Sequence, residues 1–127
     1  VGRRPDGRPW RVGVQDPDQA NQIRYILPLD DQSVVTSGDY QRYFTVDGVR
    51  YHHIIDPSTG YPARGLRSVT IVGADPAVCD AISTAVFVRG WEEGRALVER
   101  LPGVEAIVIS DTDAWISPGL AQAVTTP

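Results

Sequence analysis

The feature that most limits the fold is a change of grammar at Ala74. Up to that point Gly, Pro and Asp cut the chain into short β-rich runs; after it comes "DPAVCDAISTAVFVRG", helical in pattern and almost uncharged. Asp75 suits a helix N-cap and Pro76 the first helical position. The spacing predicts a helix to about Arg89 and a second helix over 91–100, stopped by Pro102-Gly103. Before the change, alternation predicts strands over 10–15, 23–29 and 33–37. "YFTVDGVRYHHII" reads as two β-rich runs joined by Asp47-Gly48, a preferred pair for a tight hairpin turn. "DPSTGYPARG" reads as a long turn, and 67–73 as a strand of mixed burial. After the helices, "VEAIVIS" is nearly continuous in apolar residues and so reads as a central strand. "DTDAWIS" turns into a short last strand, and "AQAVTTP" reads as a frayed tail. Strands, then helices, then strands predict an α+β fold: a mixed or antiparallel sheet with two consecutive helices packed on it.

A chain of 127 residues fits one domain. Its formal charge is −4 with scattered basic residues, which leaves no electrostatic footprint for nucleic acid or an anionic membrane. The single cysteine, Cys79, excludes an internal disulfide and reads as a small buried residue. No apolar run approaches the roughly 20 residues of a membrane-spanning helix. The first residue is Val1 and methionine is absent, so the sequence reads as a fragment or processed product.

At 100° per residue the helix shows two stripes. Val78, Ala81, Ile82, Ala85 and Val86 form an apolar one, expected to face the sheet. Asp80, Ser83, Thr84 and Phe87 form the other, with Asp80 the only charge between Pro76 and Val88. Such a face wants a cover. Asp80 and Thr84, one turn apart, aim two oxygen ligands at one spot, which suits a hard cation such as Mg²⁺ completed by substrate, water or other groups. A local alternative stands beside this. Asp80 supports the helix N-terminus, and Thr84 back-bonds to the carbonyl of Asp80.

The segment "RYHHIIDPSTGYP" poses a similar choice. His52 and Ile54 share one face of the hairpin, and His53 and Ile55 the other. Asp56 can bond forward to turn amides, and the turn can leave amides pointing outward for an anion. His53 suits a base, a donor to phosphate or a ring packed on a flat ligand; alternatively a turn carboxylate such as Asp56 satisfies it.

"TSGDYQRYF", "DGVRYHHIIDPSTGYPA" and "SVTIVGADPAVCDAISTAVFVRG" together resemble the C-terminal part of the ApbE family of FAD:protein FMN transferases, in family order and at family-like spacing over residues 36–90. The resemblance implies an enzyme that cleaves FAD at its pyrophosphate with Mg²⁺. The FMN half then goes to a threonine of a target protein, typically a subunit of a membrane redox pump. Some members instead hydrolyse FAD to FMN and AMP. By resemblance, His53 is the motif histidine that sits beside FAD and is implicated in activity, and Ile54 touches FAD through its backbone. Ser37 and Gly38 lie near the flavin pocket. Asp80 and Thr84 match the magnesium ligands, with Ser83 at a position sometimes counted among them. The position after Pro57 is often basic in the family and here is Ser58.

The family's N-terminal half, which supplies a Gly-Gly-Asp-type segment, much of the FAD pocket and a further metal contact, is expected to be missing from residues 1–127. Activity is therefore expected only with that half, supplied by the same protein or by another chain. Rival expectations are a non-catalytic flavin-binding or docking module, an FAD pyrophosphatase, and a structural domain without a ligand. The expected partners are FAD, a flavinylated target protein, and the N-terminal half or another copy of the chain. The resemblance also suggests an extracytoplasmic setting.

Overall fold

The computed structural model describes residues 2–127. Its centre is a four-stranded antiparallel sheet in the order β10-β9-β8-β3, formed by Ala114–Ile116, Glu105–Ile109, Ser68–Gly73 and Ser33–Gly38. A helical element, α1 (Pro76–Glu99), covers one face. A hairpin of β1 (Trp10–Gln15) and β2 (Ile23–Leu29) covers the other. Alternate residues of the inner strands supply the two cores. Val69, Ile71, Ala106 and Val108 pack under the helix with Cys79, Val86 and Phe87. Val72, Ile107 and Ile109 pack against Val14, Leu27 and Leu29. The fold is α+β, as the order of elements implies.

Double coverage corrects one expectation: β8 is buried at every position rather than mixed. The tail is corrected too. Val124 packs partly buried against the β1–β2 core, and Thr125 exchanges two main-chain hydrogen bonds with Ile26, at 2.7 and 3.1 Å. Ile26 needs partners for its main-chain groups, and the tail provides them.

The helix starts as its sequence dictates. Asp75 accepts from the amides of Ala77 (2.8 Å) and Val78 (3.1 Å), and Pro76 needs no donor there. The two consecutive helices expected follow one another within α1, Pro76–Glu99, and the break falls where the sequence places it: Gly90 has φ 79° and ψ −168°, non-helical values open to glycine and strained for other residues.

Two small hairpins project beside this body on its helix-covered side. β4 (Tyr43–Val46) and β5 (Val49–His52) pair through the turn at Asp47 (φ 48°) and Gly48 (φ 76°), the two positive φ values that a type I′ turn requires. Within the expected long turn, β6 (Ile55–Asp56) and β7 (Tyr61–Pro62) pair briefly around Pro57, Ser58, Thr59 and Gly60.

Candidate functional site

The helix presents a different face to the sheet from the one its apolar stripe suggests. Cys79, Ser83, Val86 and Phe87 are buried, while Val78 is half exposed and Ala81 exposed. Phe87, placed by its spacing on the second stripe rather than the one expected to face the sheet, is 0% exposed. Two partners explain the inversion. Ser37, at the end of β3, satisfies the Ser83 hydroxyl, so a polar residue can go inside; the ring of Phe87 packs beside Ile54 and against the edge of His52.

The oxygens around this contact form a small cluster. Ser37 Oγ lies 2.8 Å from Ser83 Oγ and 3.4 Å from Thr84 Oγ1. Ser83 Oγ donates to the Asp80 carbonyl at 2.8 Å, and Thr84 Oγ1 reaches back to the same carbonyl at 3.4 Å. Asp80 and Thr84 are exposed on this face, and the Asp80 carboxylate forms no hydrogen bond or ion pair with a described residue. The Thr84 contact is the local back-bond expected as the alternative, and an exposed carboxylate one turn from a threonine hydroxyl remains chemistry a hard cation can take. The set is partial: no group of three or more His, Cys, Asp or Glu converges among the described residues. Gly38, next to Ser37, lies beneath the Tyr40 ring, which a Cβ would approach to 2.5 Å.

His52 and His53 part company. His52, 6% exposed, holds the Ala63 carbonyl through Nε2 at 2.8 Å, and its Nδ1 faces the Ile54 amide at 3.3 Å. A carbonyl can only accept and an amide only donate, so the ring is the neutral Nε2–H tautomer. Burial pushes its pKa below the ordinary histidine value, against the raising effect of the Ala63 bond. His53 is exposed. Its Nδ1 approaches the Arg42 carbonyl at 3.4 Å, which leaves Nε2 as an acceptor in the neutral ring.

Asp56 is occupied elsewhere. Its carboxylate takes the Ser58 amide (2.8 Å) and hydroxyl (2.7 Å), which hold its pKa below the usual aspartate value. Ser58 therefore braces the turn. Ile54 is buried. Its amide goes to His52, and its carbonyl receives the Ala63 amide at 2.9 Å, so one lone pair of that carbonyl is the backbone capacity left for a ligand.

Sequence reading missed the clamp behind this wall. Asp39, 7% exposed, accepts from Arg67 Nε (3.0 Å) and Arg50 Nη1 (3.1 Å) and so ties β3 to the β8 entrance and to the hairpin. Burial works against the Arg67 charge, but Asp39, Asp18 and Asp111 outweigh it and hold the guanidinium firmly protonated. Arg50 also lies over the Tyr43 ring, 4.5 Å from its centroid. The signal available was the acidic third residue of "SGDY" followed by two isolated arginines; nothing in their spacing predicts the contact.

The profile of the ApbE family matches residues 1–108, and the chain belongs to that family. The FAD:protein FMN transferase of Treponema pallidum is 48% identical over 118 residues, covering 91% of this chain and 33% of the relative. The crystal structure of the ApbE protein from Thermotoga maritima superposes with a TM-score of 0.87 at 42% identity, covering 96% of this chain and 40% of that one. The flavin transferase ApbE from Vibrio cholerae gives 0.79 at 34% identity, with the same coverage. The chain thus spans about a third of the length of the curated relatives it matches.

Proposed function

We propose that this chain forms one wall of an FAD:protein FMN transferase site, and that transfer needs further protein to close it. The observation that carries the reading is the contact of Ser37 with Ser83 and Thr84. It joins the strand end assigned to the flavin with the helix face assigned to the metal, two features singled out on separate grounds. The segment of His53 lies on the helix-covered side of the sheet, since Ile54 shares its core with Phe87.

In this reading Asp80 and Thr84 would hold Mg²⁺, which would neutralise charge on the FAD pyrophosphate. Ser37, Gly38 and the remaining lone pair of the Ile54 carbonyl border the flavin nucleotide. His53 Nε2, exposed and poised to accept, takes the proton of the target threonine hydroxyl as its oxygen attacks the FMN phosphorus. The new P–O bond forms as the bond to the AMP phosphate breaks, and AMP leaves with the electron pair. Without an acceptor protein, water in the same place would give FMN and AMP. Positioning supplies most of the rate in such transfers, and ligand pockets typically enclose about 70–90% of a ligand's surface. One wall does not achieve that.

The test mixes the chain with FAD, Mg²⁺ and a threonine-containing acceptor peptide, alone and with the remaining segment of the Treponema pallidum relative, and follows flavin attachment by mass spectrometry. Attachment only in the complemented mixture, abolished by D80A and by H53A, is expected. Turnover by the chain alone would overturn the half-site reading; attachment in neither mixture would overturn the function.

A further inference from the structure

The mechanism uses His53 and leaves the buried histidine beside it without a task. Yet His52 touches three parts of the site's support. Its ring bridges Ile54, where the β6–β7 hairpin begins, to Ala63, where it ends. Ala63 and Ile54 close the same loop with their own main-chain bond. The ring also stands edge-on to Phe87, centroids 5.6 Å apart at 76°, and so leans on the helix that carries Asp80 and Thr84.

We infer that His52 is a positioning residue: its neutral imidazole fixes the His53–Ile54 backbone against helix α1 and so sets the distance between the flavin-facing wall and the metal-facing helix. The inference rests on the reading above for what is positioned, and on the three contacts for how. Both neighbours of the ring are main-chain groups of fixed polarity, so the ring has one workable state. A proton on Nδ1 would point at the Ile54 amide, donor against donor, and the Ile54 tie would be lost.

The state is therefore sensitive to acid. The charged and titratable groups around the ring are Asp39 just beyond β3, Arg64 beyond β7 and the neighbouring His53. Arg50, Arg67 and Asp111 line the same cavity of about 370 Å³, while the helix faces the ring with Phe87. Arg64 and His53 disfavour a positive ring and Asp39 favours one; burial decides the balance downward. A lowered pKa means the folded state prefers the neutral ring. The bridge is complete above the ordinary histidine value and fails as pH falls through the lowered one.

Three substitutions separate the contacts. H52N keeps an oxygen near Nδ1, H52Q a donor near Nε2, and H52L neither. On the 127-residue chain, amide exchange of Ile54 and Ala63 is expected to speed up about fivefold to tenfold in H52L, the loss of a typical net hydrogen bond. The amides of β8 should change far less. H52N should restore Ile54 and H52Q should not. In wild type the Ile54 amide resonance should titrate below the ordinary histidine range, and in H52N it should not. Equal Ile54 protection in all four proteins, or a pH-independent Ile54 resonance in wild type, would overturn the inference. In the complemented transfer assay, H52L should raise the KM for FAD more than it lowers kcat, with H52N intermediate; unchanged kinetics in H52L would equally overturn the positioning role. If that assay is silent for wild type, the function reading has failed, and the exchange and titration results still decide whether His52 holds the loop.

Discussion

In the layered body Val69, Ile71 and Val108 are sealed beneath the helix, whereas in the β4–β5 arm Tyr43, Phe44, Val46 and Val49 face solvent, Phe44 at 63% exposure. Both regions draw on β-branched and aromatic residues. The difference lies in what covers them. Each inner strand of the body has a neighbour on both sides and a layer on both faces, while the arm is two strands wide with its own stacking of Phe44 on Tyr51, 5.4 Å between centroids. A hairpin of that width is marginal alone. Side chains hold it to the body: Arg50 to Asp39, the His52 ring to Ala63 and Phe87, and Ile54 in the core. The candidate site is built across this boundary, with a rigid helix on one side and a tethered arm on the other.

Removing the residue common to both regions should have the largest effect. Phe87→Ala empties a fully buried site and takes away the surface on which His52 rests, so a loss of about 3–5 kcal/mol is expected. Denaturant unfolding measures it, and a loss under about 1 kcal/mol would mean the arm and helix do not share a core. Cutting one tether should cost less. Asp39→Asn keeps the shape and removes the charge; Arg67 retains Asp18 and Asp111, while Arg50 loses its carboxylate partner. A loss of about 1–3 kcal/mol is expected, below that of a fully buried pair because Arg50 stays partly in water. Faster exchange should concentrate in β4 and β5; an effect confined to β8 would show that Asp39 serves the body alone.

The body was more legible than the boundary. Strand positions, the Asp47-Gly48 turn and the helix start follow from local chemistry, and local chemistry is what a sequence displays. Burial was harder. The stripe of Val78, Ala81 and Ile82 looked like the inward face because apolar count was the guide. What turned the helix was Ser37 offering a partner to Ser83, and His52 and Ile54 making room for Phe87, all from distant segments. The tail looked frayed because its partner, Ile26, lies far away in the chain. The pairing of His53 with the turn carboxylate failed for a nearer reason, since Ser58 had already taken Asp56. The site residues themselves came from motif resemblance and from the Asp80–Thr84 spacing. The Asp39 clamp and the task of His52 became visible only when β3, β5, β7 and the helix were assembled.

The smallest effect should come from straining the arm alone, and it tests whether the two regions open separately. Gly48 holds φ 76° with open space where a Cβ would stand, so Gly48→Ala adds backbone strain and no clash. An alanine in that conformation costs about 1–2 kcal/mol. If the arm can open while the body stays folded, the protein can release that strain by opening it. The loss of global stability is then capped by the free energy of that local opening, which is small for a two-stranded element. The denaturation midpoint should barely move. Amide exchange in β4 and β5 should rise about fivefold or more while exchange in β8 and β9 stays nearly constant. A common rise in all four strands would mean that arm and body unfold as one unit, and that the side-chain tethers at Asp39 and His52 are as strong as the sheet they attach to.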